Sequence, residues 1–482
     1  MLFNSISFAV FLPVVFLLYW FVARKSLRGQ NVLLLIASYF FYGSWDYRFL
    51  FLLIFSTFLD YFTGIKIHEA ETRKRKKIWL WLSITINLGF LGVFKYYNFF
   101  AASFAGALSL VGFHADYFTL QVILPVGISF YTFHGLSYVL DLYNDRIKPE
   151  RDFINYAVFV SFFPLLVAGP IERATHLLPQ IIRKRDFDYH QAMDGLRQML
   201  WGFFKKMVIA DNCAIYVNDI FSHSSGYSGS TLVLGTMFFA FQVYGDFSGY
   251  SDIALGTARL FGINLLRNFA FPFFARDIAE FWRRWHISLT TWFRDYLYIP
   301  LGGNRGGKWM SIRNMFIVFL VSGFWHGANW TYIVWGLLNA IYFLPLLLLH
   351  KTKQNVEIVA KGRLFPSLKE LTGMIVTFAL ILFSFIFFRA RDLHHAFAYT
   401  AKIFSPSLFS LPHFKGDEKI APLAILILVF FLIEWIGREE QYAIEKIGLK
   451  WHKAVRWALY YTLVMAIFLF AGKEQAFIYF QF

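Results

Sequence analysis

Apolar runs of about 18–25 residues recur from one end of the chain to the other, and each is long enough to cross a bilayer as a helix. That repetition leaves few folds open. In hydrocarbon every backbone amide must be paired within the protein, so a spanning chain is either a helical bundle or a closed barrel. A barrel would be written in short segments alternating polar and apolar residues, and the sequence has no such segments. Charged residues make up 16% of the chain, well under the quarter or so usual for soluble domains, and the mean hydropathy is +0.50. The expectation is an all-α polytopic integral membrane protein with roughly eleven to thirteen membrane helices, re-entrant pieces included.

Charge placement orients these spans. The net charge of +16 would suggest nucleic acid in a soluble protein. Here the basic residues gather in short loops between apolar runs, so no nucleic-acid partner is expected and membrane lipids with anionic headgroups take that place. The first spans read as 6–22, 30–46, 49–65 and 78–94. Arg24, Lys25 and Arg28 follow the first, and Lys66 and Arg73 to Lys77 follow the third. Both loops are therefore expected on the cytoplasmic side, with the N-terminus outside. The N-terminal run lacks a basic leader region and a small-residue cleavage site, so it reads as the first span rather than a signal peptide. Cys213 is the only cysteine, which excludes an intramolecular disulfide and a thiolate metal cluster.

Residues 95–119 read as an external interfacial helix or a re-entrant hairpin, followed by a span over 120–142. From 151 to 310 the pattern changes. FPLLVAGPIERA, YGDFSGYSD, NFAFPFFARD and YIPLGGNRGG interrupt short apolar pieces with Pro, Gly and charge. Irregular backbone at membrane depth survives only where protein or a water-filled cavity satisfies it, so this centre should be enclosed and cavity-lining. Clean spans resume at 312–328, 330–350, 371–389, 420–436 and 453–471, with a hydrophilic loop over 351–370. The whole reads as a single membrane domain, 1–482, made of N-terminal spans (1–150), an irregular centre (151–310) and C-terminal spans (311–482). No internal repeat is visible, which counts against a transporter.

Candidate chemistry centres on Ser322-Gly323-Phe324-Trp325-His326-Gly327-Ala328-Asn329-Trp330. It sets one histidine inside an apolar run, and an ionisable group at membrane depth marks a functional site by default. Its small neighbours let backbone or a substrate chain come close. A second histidine lies in ARDIAEFWRRWHISLTTWFRDYLYIP. Read as one amphipathic helix over 276–296, this stretch places Trp282, Trp285, His286, Leu289 and Phe293 on one face, with Arg283 and Arg284 elsewhere. Two readings stand: an interfacial helix lying on headgroups, or His286 facing a cavity while the arginines hold an anionic donor such as a coenzyme phosphate.

Other features read more plainly. Asp246, beside Ser248, and Asp252 stand among small and aromatic residues, either on a broken helix near a cavity or as structural carboxylates paired with arginines such as Arg259 or Arg276. Neither histidine has enough neighbours of ligand type for a metal site, so none is expected. The 301–307 loop, LGGNRGG, follows no strand, so it is no nucleotide fingerprint; it reads as a tight turn, with a phosphate contact through Arg305 as the alternative. His134 reads as a hydrogen-bonded core histidine. No nucleophile elbow is present, which speaks against a covalent serine mechanism.

The joint order of LPVGISFYTF, FPLLVAGPIER, QVYGDFSGYSDIALGTARLFG, FPFFARDIAEFWRRWHISLTTWFRDYLYIPLGG and VSGFWHGANWTYIVWG resembles the membrane-bound O-acyltransferase superfamily. The bacterial branch with alginate and peptidoglycan O-acetylation and teichoic acid D-alanylation components is the nearest in pattern. The N-terminal LFNSISFAVFLPVVFLLYW and the C-terminal FIYFQF are similar to the alginate-type members. The resemblance covers nearly the whole chain. It implies a helical bundle around a funnel, in the bacterial inner membrane. It implies that His326 is the catalytic residue, with His286 paired to it. It also implies an acyl group, most simply acetyl, taken from a cytoplasmic thioester such as acetyl-CoA with no bound cofactor. The acceptor would be an exported polysaccharide hydroxyl or an extracytoplasmic partner acyltransferase. In that scheme His326 is the general base, Trp282, Trp285, Trp325, Arg283, Arg284, Asp246 and Ser248 surround substrate, and backbone amides or Asn329 stabilise the oxyanion. The competing classes are a transporter or flippase, and a non-catalytic scaffold of a polysaccharide export complex.

Overall fold

The computed structural model describes all residues except 115, 117, 122, 168, 472–474, 476 and 479–482. The last four residues of the FIYFQF motif and one residue of FPLLVAGPIER therefore lie outside the described residues. Regular structure among the described residues is helical, as the apolar runs require. Six stretches are long and apolar enough to cross a membrane: Ile6–Lys25, Tyr47–Glu69, Arg73–Leu110, Trp330–Leu348, Leu368–Arg389 and Lys453–Phe470. The chain is a multi-pass membrane protein. It divides into two compact units, residues 1–192 with 257–266, and residues 193–256 with 267–482.

The first unit contains α1 (Ile6–Leu17), α2 (Leu27–Gly43), α3 (Tyr47–Glu69), α4 (Arg73–Leu91), α5 (Tyr97–Leu110), α6 (Ile128–Tyr143), α7 (Phe153–Ser161), α8 (Phe163–Leu166) and α9 (Ala174–Ile181). Ser5, Ser26, Asp46 and Thr72 cap the first four by accepting from backbone amides one turn in. Lipid offers helices no hydrophobic reason to associate, so packing and interhelical hydrogen bonds hold them. Asp60 of α3 does this with α4, accepting from Ser83 Oγ at 2.6 Å and Asn87 Nδ2 at 2.8 Å. His134 is a core residue as expected: it is buried and its Nε2 accepts from the Glu172 amide at 3.1 Å.

Two expectations fail here. Residues 97–110 form no re-entrant hairpin. A π-helical turn over Gly92–Tyr96 carries the α4 helix on into α5 without interruption, because no proline intervenes before Gly112, where φ turns positive. The span expected from residue 120 begins only at Ile128. Pro125 lacks an amide, and Gly127 takes φ 75°, so the helix cannot start earlier.

The chain enters the second unit along α10 (Tyr189–Phe203), followed by a π-helical turn (Phe204–Ala210), α11 (Asp211–Ser222) and α12 (Gly229–Leu260). Then come α13 (Ile278–Arg284), α14 (Ile287–Phe293), α15 (Lys308–His326), α16 (Trp330–Leu348), α17 (Leu368–Arg389), α18 (Leu393–Ile403), α19 (Ile420–Ile436) and α20 (Lys453–Phe470). The YGDFSGYSD motif does not break its helix: α12 runs straight through it. Its glycines serve close crossing instead. A Cβ at Gly249 would stand 2.8 Å from the Gly202 carbonyl, and one at Gly245 2.9 Å from that of Lys205. The π-helical turn swings both lysines inward. Lys206 pairs with Asp211 and Asp246, each at 2.8 Å, and Lys205 pairs with Asp252 at 2.6 Å. The aspartates are thus structural carboxylates, but lysines rather than Arg259 or Arg276 neutralise them. Arg276 is taken by Glu280 and Glu370.

The hairpin α15–α16 is locked by a second pair of glycines. A Cβ on Gly323 would strike the Tyr332 carbonyl, and one on Gly336 the Phe319 carbonyl. The glycine-rich loop before α15 is the tight turn expected, with positive φ at Gly302, Gly303 and Gly307.

Candidate functional site

The amphipathic helix expected over 276–296 is two helices with a corner at His286. Asp277 caps α13 by accepting from the Glu280 amide, and α13 ends at Arg284. Trp285 is extended, His286 takes φ 44° in the left-handed region, and α14 starts at Ile287. That conformation costs an L-residue about 1–2 kcal/mol, so something must hold it. A neighbouring segment does: the Ala270 amide donates to the Arg284 carbonyl, and the Ile287 amide to the Asn268 carbonyl, both at 2.9 Å. The corner turns the imidazole inward to 1% exposure.

Asn268 also fixes the ring. Its Oδ1 lies 3.1 Å from His286 Nδ1 and accepts from the Ser288 amide at 3.3 Å and Ser288 Oγ at 2.9 Å. Its Nδ2 donates to Ser251 Oγ at 3.2 Å. An amide oxygen only accepts, so His286 carries its proton on Nδ1 and presents the lone pair at Nε2. Phe247 meets the ring edge-on, with centroids 4.6 Å apart.

His326 is the last residue of α15 and is 3% exposed. Trp335 of α16 and Phe388 of α17 pack edge-on against its ring at 5.1 and 5.4 Å. The two imidazole centroids are 6.3 Å apart, and Trp325 lies beside both. A cavity of about 290 Å³ opens between the two histidine-bearing elements. One stripe of α15, formed by Met315, Val318, Phe319, Ser322 and His326, makes one wall. From Met315 to His326 that stripe measures about 16 Å along the helix. Trp282, His286, Leu289 and Phe293 make the opposite wall.

Arg283, Arg294, Tyr298, Asn304 and Thr352 add polar groups to the cavity lining. Arg294 pairs with Asp295 at 2.8 Å. Arg283 donates to the carbonyls of Thr352 and Asn355, each at 2.6 Å, and forms no ion pair among the described residues. Asp277 and Glu280 are the acidic groups that act on it electrostatically. A largely apolar cavity with guanidinium and imidazole groups in its lining suits a donor with an anionic head and a reactive end.

The residues singled out from sequence do not all meet here. His286, His326, Trp282 and Arg283 line the cavity, and Trp325 stands behind the histidines. Arg284 pairs with Glu280 at 2.8 Å and donates to the Ala270 carbonyl, bracing the corner. Trp285 is buried among Phe281, Phe269 and Phe273. Asn329 is the N-cap of α16: its Oδ1 accepts from the Thr331 amide and its Nδ2 donates to the Arg391 carbonyl, so both ends are occupied by structure. Asp246, held by Lys206, also accepts from the Ile478 amide at 2.7 Å. Ser248 lines a separate pocket of about 10 Å³, beside Asp252 and Glu434. Arg305 is not among the cavity-lining residues. Sequence reasoning missed Asn268 and Trp335.

Comparison with known proteins places this geometry. The model of the MBOAT, membrane-bound O-acyltransferase family, matches residues 148–388, which include both histidines and Asn268. The chain is 35% identical over 502 residues to a probable alginate O-acetylase AlgI of Pseudomonas putida, covering 100% of both chains. It is 33% identical over 528 residues to a peptidoglycan O-acetyltransferase of Helicobacter pylori, covering 100% of this chain and 98% of the relative. A teichoic acid D-alanyltransferase of Bacillus subtilis is 26% identical over 290 residues, covering 57% of this chain and 71% of its own length. Across a match of this extent, the chain belongs to the membrane-bound O-acyltransferase family and is an acyltransferase.

Proposed function

We propose that this acyltransferase moves an acetyl group from a cytoplasmic thioester, of which acetyl-CoA is the simplest, to a hydroxyl of an exported polysaccharide or to an extracytoplasmic partner transferase. The bacterial inner membrane is its place, with the N-terminus outside. The observation that carries the reading is the pair of histidines, from separate elements, lining one cavity together with Arg283. The names of the full-length relatives support acetyl over other acyl groups.

His326 acts as general base. It takes the proton of the acceptor hydroxyl as that oxygen attacks the thioester carbonyl, the carbon–sulfur bond breaks, and the departing thiolate recovers the proton. His286, whose Nδ1–H is committed to Asn268, orients the donor by accepting a hydrogen bond at Nε2. In its neutral form it has no proton there with which to polarise a carbonyl. With Asn329 engaged as a helix cap, the oxyanion donor is the indole N–H of Trp282, which lines the cavity and has no hydrogen-bond partner among the described residues. Arg283 holds the anionic head of the donor.

The test is transfer of label from radiolabelled acetyl-CoA by purified protein in liposomes, wild type beside His326→Ala, with acceptor polymer supplied. Label reaching the acceptor with wild type alone supports both catalysis and donor. Equal transfer by the two proteins would remove His326 from the mechanism.

A further inference from the structure

A second, larger recess lies between α16 and α17, and neither histidine lines it. It has a volume of about 1220 Å³ and runs between the end of α16 and the start of α17, roofed by the loop that joins them. Both helices are membrane spans. Tyr342 and Leu346 of α16 and Val376 and Leu380 of α17 form its apolar walls, and Val376 is 54% exposed. Its mouth is lined by Lys351 and Lys369, with Arg363 and Arg276 beside them.

Two quantities decide what fits. From Leu368 to Leu380 the recess follows α17 for about 18 Å, close to the depth of one leaflet, about half of a 30 Å hydrocarbon core. The charge at the mouth is unbalanced. Glu370 is already shared by Arg276 at 3.3 Å and Arg363 at 2.9 Å, while Lys351 and Lys369 form no ion pair among the described residues. The apolar walls suit an acyl chain and the mouth suits a phosphate. We infer that this recess is a binding site for one anionic phospholipid, its headgroup between Lys351 and Lys369 and a chain lying along α17 as far as Leu380. The inference stands independently of the acyl-transfer reading.

The experiment uses the full chain reconstituted in vesicles of equal amounts of phosphatidylglycerol and phosphatidylethanolamine, then delipidated and weighed by native mass spectrometry. Wild type should retain one phosphatidylglycerol in preference to phosphatidylethanolamine. Lys351→Glu with Lys369→Glu should cut that retention by at least about tenfold, while Lys74→Glu with Lys77→Glu, another exposed basic cluster, should not. Val376→Trp, which keeps the charges and fills the walls, should also displace the lipid. Retention that mirrors the vesicle composition in wild type would overturn the site. So would an equal loss in the Lys74/Lys77 control. Full retention by Val376→Trp would overturn the groove.

Discussion

The lysine–aspartate cluster around α12 and the histidine pair, at the α13–α14 corner and the end of α15, both bury ionisable groups, but the space in front of them differs: about 10 Å³ beside the first and about 290 Å³ before the second. Lys205 pairs with Asp252, and Lys206 is shared by Asp211 and Asp246, all within hydrogen-bond distance. Glu434 accepts from Trp201 and Tyr244 in the same region. The two imidazoles line a cavity of about 290 Å³. Buried charge alone therefore does not separate the two regions; a sizeable cavity in front of the buried groups does, and the region that has it carries the lower density of charge.

The largest expected effect tests the cavity side. His326→Ala should lower transfer by about 10²–10⁴-fold, the usual worth of a general base, with the melting temperature in detergent unchanged. Lys206→Met should do the reverse. Leaving Asp211 and Asp246 without their cation should destabilise the fold by about 3–5 kcal/mol, read as early thermal unfolding. A Lys206→Met protein that melts normally yet turns over nothing would break the comparison and move the charged cluster into the mechanism. Asn268→Leu should lower kcat by about 10–100-fold, as loss of an orienting partner does, and Asn268→Asp, which keeps an acceptor at Nδ1, should recover most of it. The smallest effect belongs to Arg283→Ala. It should raise KM for the donor about tenfold, the worth of one charge-assisted contact, with kcat little changed. An equal fall in kcat would relocate Arg283 from donor binding to the transition state.

The spans and the histidines were legible because their signals are local. Long apolar runs mean spanning helices, and a histidine among Gly, Ser and Trp is conspicuous at any fold. The corner at His286 was hidden because residues 282, 285, 286, 289 and 293 fit an unbroken helix, and neither Gly nor Pro announces the turn. Asn268 acts 18 residues away from His286, through a corner that must form before the contact exists. Lys205 and Lys206 carry no sequence signal of their burial, which a π-helical turn brings about. Asn329 is different, since Asn one residue before a helical run is a recognisable N-cap, and that signal was open to a closer reading. The end of α5 and the late start of α6 were blurred because aromatic and small residues suit both a helix and a surface hairpin.

The glycines that lock α15 to α16 have a consequence for motion during turnover. With Gly323 and Gly336 pressed against opposing carbonyls, the helix ending in His326 has no room to slide or rotate against its neighbour. In the proposed mechanism this makes His326 a fixed point: substrates are brought to it, and it does not travel to meet them.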